Sequence, residues 1–169
     1  GGADIDLLYS LCLATNAKRM LETGVAFGWS SLAMLSGIER EVGAKLVSVD
    51  MPYLGANLDN LVGLAVPYEL RSKWTLLRGS DKSRLKEAIS IVEPIDLAHY
   101  DSDKSEQGRR WAYPRIYWAL KPGGLLLSDD IEDNLAFLEF ARCVSVAPIV
   151  VPRNDASNFT GILKKAAAG

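Results

Sequence analysis

The sequence predicts an α/β fold, a parallel sheet covered by helices on both of its faces. Short apolar segments alternate along the chain with longer segments whose apolar residues recur at helical spacing. The short segments are apolar at nearly every position, which is typical of strands that are buried on both faces. A length of 169 residues, 49% of them hydrophobic, suffices for one core, so we expect residues 1–169 to form a single domain.

Seven segments have the composition of strands. The first runs from Arg19 into Gly24, and the fifth follows the Pro122-Gly123-Gly124 turn, so turn-forming residues mark where these strands end or begin. The predicted strands are Arg19–Thr23, Lys45–Asp50, Trp74–Arg78, Ile95–Tyr100, Leu125–Ser128, Val144–Val151 and Thr160–Lys164.

Six segments around these strands are predicted to be helical. In the first of them, Leu8, Leu11 and Thr15 recur on one face, as expected of a helix that packs on a sheet. We expect Pro67 and Pro114 to interrupt the helices that contain them. The predicted helices are Asp4–Asn16, Gly28–Val42, Leu58–Arg71, Asp81–Val92, Ser105–Leu120 and Asn134–Arg142.

Composition and charge exclude several classes of function. Nineteen Lys and Arg residues against 21 Asp and Glu give a net charge of −2, and without a basic run the chain is not expected to bind nucleic acid or an acidic membrane. No apolar stretch reaches the roughly 20 residues that cross a bilayer, and the first residues lack the basic-then-apolar pattern of a signal peptide. We therefore expect a cytoplasmic protein. Cys12 and Cys143 lack metal-ligand spacing. His99, the only histidine, is expected to pack in the core, which argues against a Ser/His/Asp triad.

Acidic residues stand where the predicted strands end, and this is the main functional signal in the sequence. In a parallel sheet, ligands bind at the carboxyl ends of the strands, beside the switch in strand order. The loops that meet this rule are residues 24–30, 50–53, 79–81, 100–105 and 128–133, and four of the five carry acidic residues at the strand end. We therefore expect the ligand site there.

The loop after the first strand fits an amino-acid moiety better than a dinucleotide. Gly24 and Gly28 have G-x-x-x-G spacing where the dinucleotide fingerprint is G-x-G-x-x-G, and Glu22 would repel a pyrophosphate, which argues against a nicotinamide dehydrogenase. A carboxylate suits the ammonium group of a ligand, and the N–H groups that open the next helix suit its carboxylate. The alternative is a tight turn whose glycines serve packing alone.

Two further strand ends suit the parts of a nucleoside. Asp50, 28 residues after Glu22, ends the second strand, where an acidic side chain commonly accepts both ribose hydroxyls. The alternative for Asp50 is a helix-capping or solvated side chain. Ser80 and Asp81 follow the third strand and would cap the next helix or bond an adenine amino group.

Carboxylates at the ends of the fourth and fifth strands predict a cation site. If these strands are neighbours, Asp101 comes close to Asp129 and Asp130, and three converging carboxylates repel one another unless a cation is bound. Oxygen ligands in this number fit Mg²⁺. Lys104 would stand beside that cation, which favours its neutral amine and a role as general base. The alternative is a pair of solvated acidic loops in which Lys104 is merely salt-bridged.

Several motifs together resemble one enzyme family. The run Leu21–Ser31 resembles the first motif of class I S-adenosylmethionine-dependent methyltransferases, and Lys45–Asp50 is similar to their acidic second strand. The L-x-P-G-G run at Leu120–Gly124, followed by two aspartates, is similar to the fifth-strand segment of that fold. The Asp101–Lys104 segment resembles the metal-dependent O-methyltransferases of the catechol and caffeoyl-CoA type. The resemblance covers the chain from about Asp4 to Lys165.

The resemblance implies a Rossmann-like, seven-stranded, mostly parallel sheet whose last strand is antiparallel. It implies an enzyme that moves a methyl group from S-adenosylmethionine to a hydroxyl of a small molecule, assisted by Mg²⁺, with Lys104 as the general base. The residues implied to bind the cofactor are Glu22, Gly24, Ala26, Gly28, Ser30, Asp50, Ser80, Asp81 and Asp101, and the implied metal ligands are Asp101, Asp129 and Asp130.

Two departures from the family pattern leave the acceptor open. Ala26 replaces the middle glycine of the first motif, and Asp130 stands where the catechol type usually has asparagine. A related branch has paired aspartates but carries histidine where Lys104 stands. The alternatives are a metal-free methyltransferase on the same fold and a methyltransferase-like domain that binds its ligand without catalysis. A homodimer is compatible with the sequence.

Overall fold

A computed structural model describes residues 4–52, 59–153 and 158–167. Seven strands and five α-helices are present in these ranges. The strands are β1 (Arg19–Thr23), β2 (Lys45–Asp50), β3 (Trp74–Arg78), β4 (Ile95–Tyr100), β5 (Leu120–Ser128), β6 (Ile149–Pro152) and β7 (Phe159–Lys164). The helices are α1 (Ile5–Thr15), α2 (Trp29–Gly37), α3 (Asp81–Val92), α4 (Glu106–Ala119) and α5 (Ala136–Cys143).

The seven strands form one sheet in the order β3-β2-β1-β4-β5-β7-β6. Strands β1 to β5 pair in parallel, whereas β7 runs antiparallel to both β5 and β6. This confirms the predicted seven-stranded, mostly parallel sheet with an antiparallel last strand. The strand order reverses between β1 and β4, and such a switch point opens a crevice at the carboxyl ends of the strands.

The sheet is buried on both faces, which explains why its central strands are apolar throughout. Neighbouring residues of a strand point to opposite faces, and in β2 both Leu46 and Val47 are fully buried. Val47 belongs to a cluster that includes Leu85 of α3 and Ile116 of α4, and Leu46 belongs to a second cluster with Leu8 of α1. Helices α3 to α5 therefore cover one face, and α1 and α2 cover the other.

The predicted bounds of β1, β2, β3, β4 and α3 are confirmed, but several other boundaries differ. Helix α2 ends at Gly37, not Val42; Gly37 packs so closely on α1 that a Cβ there would overlap Cys12. Strand β5 begins at Leu120, not Leu125: Leu120 pairs with Ile95 of β4, and Lys165 accepts the N–H of Gly123 and donates its own N–H to the carbonyl of Gly124.

The helix predicted over Leu58–Arg71 is wrong. The described part of this segment contains only two short 3₁₀ helices, Asp59–Leu61 and Tyr68–Lys73; Leu58 itself lies outside the described residues. Gly63 between them adopts a φ of +71° and donates its N–H to the carbonyl of Ala26, so the backbone is used for a tertiary contact. Pro67 immediately precedes the second 3₁₀ helix, as a helix-starting proline does.

None of the helices in the described ranges combines the length and the apolar run that crossing a bilayer requires. Pro114 lies inside α4, which is continuous from Glu106 to Ala119, so the expected interruption of this helix is not observed.

Candidate functional site

A cavity of about 910 Å³ opens at the carboxyl ends of the strands on either side of the switch point. Cavities of this size hold cofactor-sized ligands. Its lining comes from four loops, residues 24–30, 50–52, 80–82 and 101–103. These are four of the five loops that the sequence predicted; Tyr53, at the end of one of them, lies outside the described residues. The predicted cofactor residues on this wall are Gly24, Ala26, Gly28, Ser30, Asp50, Ser80, Asp81 and Asp101.

The turn from β1 into α2 requires its glycines. Gly24 and Gly28 have φ values of +82° and +87°, which side chains rarely adopt. A Cβ on Gly24 would also overlap the backbone carbonyl of Asp101, so the turn lies directly against the loop after β4. No side chain in the described part of the chain caps α2, which begins at Trp29 beside the cavity. The first turn of α2 is therefore free to bind an anionic group.

Glu22 does not line the cavity, which corrects the predicted contact with a ligand's ammonium group. Its side chain is fully buried and accepts hydrogen bonds of 2.6 Å from the hydroxyls of Ser30, Ser31 and Ser48. Glu22 stands two residues before Gly24, one step deeper in the sheet, so the turn covers it. Its effect on a ligand passes through Ser30, which does face the cavity.

Asp50 lies on the cavity wall, and protein groups contact both of its carboxylate oxygens. Oδ1 accepts the backbone N–H groups of Val25 at 2.8 Å and Ala26 at 3.3 Å. Oδ2 forms an ion pair with Arg78, which also binds Asp59. Asp50 and Arg78 are register partners in β2 and β3, a relationship visible only once the strand neighbours are known. Ribose binding by Asp50 stays a prediction.

Ser80 and Asp81 also line the cavity, at the start of α3. Ser80 occupies the N-cap position but makes no side-chain capping bond, so the predicted cap is wrong for Ser80. Asp81 accepts a hydrogen bond of 2.6 Å from the Ser102 hydroxyl, and burial raises its pKa. The contact between Asp81 and Ser102 joins the α3 side of the cavity to the loop after β4.

The neighbouring strands β4 and β5 bring Asp101 and Asp129 together, as predicted. Burial raises the pKa of Asp101, and the charge of Asp129 adds to this rise against the opposing charges of His99 and Lys104. Asp129 is almost fully buried; Oδ1 accepts the Thr160 hydroxyl at 2.9 Å, whereas Oδ2 has no hydrogen-bond partner in the described chain. Asp101 and Asp129 are thus two carboxylates with capacity to bind a cation.

Asp130 is held beside this pair by other protein groups, and its role as a third metal ligand stays a prediction. Its Oδ1 accepts from Arg153 and Asn158, each at 3.0 Å, and its Oδ2 pairs with Lys104. The hydrogen bond and charge of Lys104 hold the pKa of Asp130 below its ordinary value, although burial alone would raise it. Asp130 is therefore a counter-ion of two basic side chains.

His99 is buried, as predicted, but it is surrounded by charge. Its Nε2 lies 3.4 Å from Asp129 Oδ2 and its Nδ1 lies 3.9 Å from Glu22 Oε1. Burial alone would lower the pKa of His99, but the contacts with Asp129 and Glu22 outweigh it and raise that pKa to about 10. Ligand-type atoms of His99, Asp101 and Asp129 all lie within 4.8 Å of one another. The signal for His99 was its position two residues before Asp101.

Lys104 forms ion pairs with Asp101 and Asp130, and its side chain is 38% exposed. The ammonium lies 3.1 Å from Asp101 Oδ1. Burial lowers the pKa of Lys104, but the contacts with Asp130 and Asp101 outweigh it and raise the pKa above its ordinary value. The amine is therefore salt-bridged, and the neutral amine predicted beside a bound cation stays a prediction.

Arg109 supports the two aspartates, and the sequence analysis missed it. Its guanidinium is fully buried and donates to the backbone carbonyls of Asp129 at 3.1 Å and Asp130 at 2.7 Å. Asp130 has a φ of +51°, a conformation that a non-glycine residue adopts only when its surroundings hold it there. An arginine on the apolar side of α4 was the available signal.

Comparisons with known proteins agree with this geometry. A family model described as a methyltransferase domain matches residues 21–131. No match was found among curated protein sequences. An O-methyltransferase from Bacillus cereus, solved with S-adenosylhomocysteine, is 15% identical with a TM-score of 0.73, over 98% of this chain and 82% of that one.

A second similar structure is an O-methyltransferase of tomaymycin synthesis from Streptomyces achromogenes, solved with S-adenosylmethionine. It is 14% identical with a TM-score of 0.69, over 98% of this chain and 81% of that chain. At these identities the structures establish the fold, and the family model covers more than half of the sequence. The chain belongs to the methyltransferase domain family and has the fold of S-adenosylmethionine-dependent O-methyltransferases.

Proposed function

We propose that this methyltransferase transfers the methyl group of S-adenosylmethionine to a hydroxyl group of a small molecule. The observation that carries the proposal is the contact between the Gly24 turn and the Asp101 backbone. This contact brings a turn suited to the amino-acid end of the donor against the carboxylates and the amine of Lys104. Similar structures were solved with S-adenosylhomocysteine or S-adenosylmethionine, which supports the choice of donor.

The cavity lining matches the donor group by group. The uncapped start of α2, with Ser30, suits the donor's carboxylate, and the Asp101 side chain suits its ammonium group. Asp50 would accept a ribose hydroxyl through Oδ2, which retains a lone pair beside Arg78, because Oδ1 already accepts the N–H groups of Val25 and Ala26. Ser80 and Asp81 lie further along the same wall, where adenine would bind.

Lys104 is proposed as the base that takes the proton of the acceptor hydroxyl, a role that requires the amine first to release to solvent, beside a bound cation, the proton it holds in its ion pairs. It extends from the loop that carries Asp101, and its amine lies 3.1 Å from Asp101 Oδ1, so it could reach an acceptor oxygen held beside Asp101 at the edge of the cavity. The deprotonated oxygen attacks the methyl carbon of the sulfonium, the carbon–sulfur bond breaks, and sulfur keeps the electron pair. The donor supplies its own leaving group, so the chain has only to align three atoms and hold a proton.

Two of the predicted ligands fit a divalent cation such as Mg²⁺. Asp129 Oδ2 is buried without a hydrogen-bond partner in the described ranges, and Asp101 Oδ1 lies close by; both are oxygen donors of the kind that Mg²⁺ prefers. A bound dication would polarise the acceptor hydroxyl and offset the charge of the carboxylates. The proposed ligands are Asp101 and Asp129, without Asp130.

A metal-free reaction on the same residues is the second candidate. It is favoured by the ion pairs of Lys104 with Asp101 and Asp130, which already place a positive charge beside these carboxylates. In that case the aspartates would orient the acceptor and its proton directly.

The experiment is a screen of hydroxylated small molecules with methyl-labelled S-adenosylmethionine, preceded by calorimetry with S-adenosylhomocysteine. We expect binding of the product nucleoside and label transfer to at least one acceptor. Each active pair is then assayed with EDTA and again after Mg²⁺ is restored. Full turnover in EDTA supports the metal-free candidate, and binding without transfer to any acceptor contradicts the proposed catalysis.

A further inference from the structure

We propose that His99 is a metal ligand, and that the centre it forms with Asp101 and Asp129 prefers a first-row transition dication to Mg²⁺. The inference rests on the proposed function, because it names the third protein ligand and the class of cation at the same site. It also replaces the sequence-derived ligand set, in which Asp130 held the third position.

Geometry provides the first argument. His99 lies in β4, and Asp101 follows directly after the end of that strand, two residues further along the chain. Asp129 extends from the neighbouring strand, and the ligand-type atoms of the three residues lie within 4.8 Å of one another. Three protein ligands at such separations can surround one cation and leave positions for water and an acceptor oxygen.

The second argument is that His99 lacks a hydrogen-bond partner despite its burial. The residue is 1% exposed, and neither ring nitrogen makes a hydrogen bond within the described part of the chain. Its nearest charged neighbours, at 3.4 and 3.9 Å, are at ion-pair distance only. Buried polar groups are normally hydrogen-bonded, so an imidazole and an Asp129 oxygen that share only an ion-pair contact of 3.4 Å keep ligand atoms available to a cation.

Asp130 provides the contrast. Both of its oxygens are bound by protein groups, from Lys104 on one side and from Arg153 and Asn158 on the other. A cation at Asp130 would have to displace these contacts or lie beside two positive side chains. At His99 no hydrogen bond is displaced, and the cation would replace a ring proton that faces the carboxylates and is released to solvent.

The donor set decides the class of metal. Mg²⁺ binds oxygen and rarely imidazole, whereas an imidazole nitrogen favours first-row transition dications. Two carboxylates with one imidazole therefore select ions such as Mn²⁺ and Co²⁺ from a mixture with Mg²⁺. A site made of carboxylates alone would discriminate less strongly between these ions and Mg²⁺.

The test uses the full chain with Mn²⁺ and pulsed electron paramagnetic resonance. Nitrogen that is bound to Mn²⁺ modulates its spin echo, so the wild type should show the ¹⁴N signature of an imidazole ligand. The signature should vanish in His99→Gln and remain in Asp130→Asn. In parallel, competition titrations should show that Co²⁺ binds more tightly than Mg²⁺, and that His99→Gln weakens Co²⁺ binding by about tenfold or more.

Three results would overturn the inference: Mn²⁺ that binds without nitrogen modulation, no Mn²⁺ binding at all, or an Asp130→Asn chain that loses the signature. The presence or absence of nitrogen modulation in the wild type tests the His99 ligand even if His99→Gln fails to fold. Methyl transfer and nucleoside binding are measured separately. Mg²⁺-supported methyl transfer with no nitrogen signature would leave the proposed function intact and refute only the His99 ligand. A nitrogen signature without methyl transfer would support the His99 ligand and contradict the proposed function.

Discussion

Asp50 accepts a hydrogen bond of 2.8 Å from the backbone N–H of Val25, which ties the end of β2 to the turn after β1. Both residues line the cavity, so one carboxylate fixes the shape of the turn and also presents charge to a bound ligand. Its other oxygen is held by Arg78 of β3. The nucleoside side of the cavity thus depends on three adjacent strands.

We expect Asp50→Asn to weaken S-adenosylhomocysteine binding by about 1–3 kcal/mol, the cost of losing hydrogen bonds to a charged group. The amide oxygen can still accept from Val25, so the turn should persist. Isothermal calorimetry measures the change. Asp59→Asn is the matched control, because Asp59 also binds Arg78 but does not line the cavity. Equal affinity in Asp50→Asn and the wild type would remove Asp50 from the ribose site.

Lys104→Ala should lower kcat by roughly 10²–10⁴-fold, the usual contribution of one positioned base. Affinity for S-adenosylhomocysteine should not change, since Lys104 does not line the cavity. Arginine at this position should not restore turnover, because a guanidinium does not lose its proton. Lys86→Ala, on the exposed side of α3, is the control. Near-normal kcat in Lys104→Ala would refute the assignment.

Gly24→Ala should destabilise the fold more than Gly43→Ala does. Both glycines have positive φ, so each substitution carries backbone strain of about 1–2 kcal/mol. Only at Gly24 does the added Cβ overlap another backbone segment, at Asp101, which should cost about 1–3 kcal/mol more; nothing lies within 4 Å at Gly43. Urea unfolding of both variants measures the difference. Similar losses of stability would show that the Gly24 turn can move away from Asp101.

The free energy of unfolding should depend on pH through Asp96, which lies near the start of β4, at the end of the strand away from the cavity. Burial alone would raise its pKa, but Lys121 and the backbone N–H groups of Lys18 and Arg19 outweigh this and lower it. A lowered pKa stabilises the fold above the unfolded-state value of about 3.9, and this stabilisation is lost as pH falls through the folded-state pKa.

The advantage of the wild type over Asp96→Asn in free energy of unfolding should therefore be constant above pH of about 5 and shrink below pH of about 4. Denaturant unfolding at a series of pH values measures it. Lys121→Met keeps the two backbone contacts and should retain part of the dependence. An advantage that stays the same from neutral to acidic pH would contradict the role of Asp96.

The strands of the sheet could be predicted because the features that mark them, apolar runs and the residues that end them, are local in the sequence. Strands β1 to β4 are apolar runs closed by residues such as Gly24, Asp50 and Gly79, so their ends, and the loops that line the cavity, follow from the sequence. The approach of Asp101 to Asp129 then needed only the assumption that β4 and β5 are neighbours. The methyltransferase resemblance drawn from these motifs is confirmed by the family match.

Contacts between strands distant in sequence were not predictable. The burial of Glu22 under three hydroxyls depends on serines from α2 and β2, and the charged surroundings of His99 depend on β1 and β5. The segment before β3 was wrongly predicted as a helix because its apolar residues recur at helical spacing. In the structure, the N–H of Gly63 donates to the carbonyl of Ala26. Local pattern gives way to tertiary contact at each of these places.

The reversal of strand order between β1 and β4 divides the site into two halves. The loops after β1, β2 and β3 surround the proposed donor, while the loops after β4 and β5 carry Asp101, Asp129 and Lys104. Substitutions on the β4–β5 side can therefore accumulate without altering the side chains that recognise the nucleoside. Such a division would let a lineage exchange one methyl acceptor for another while the donor stays the same, provided that the contacts of Gly24 with Asp101 and of Asp81 with Ser102 are preserved.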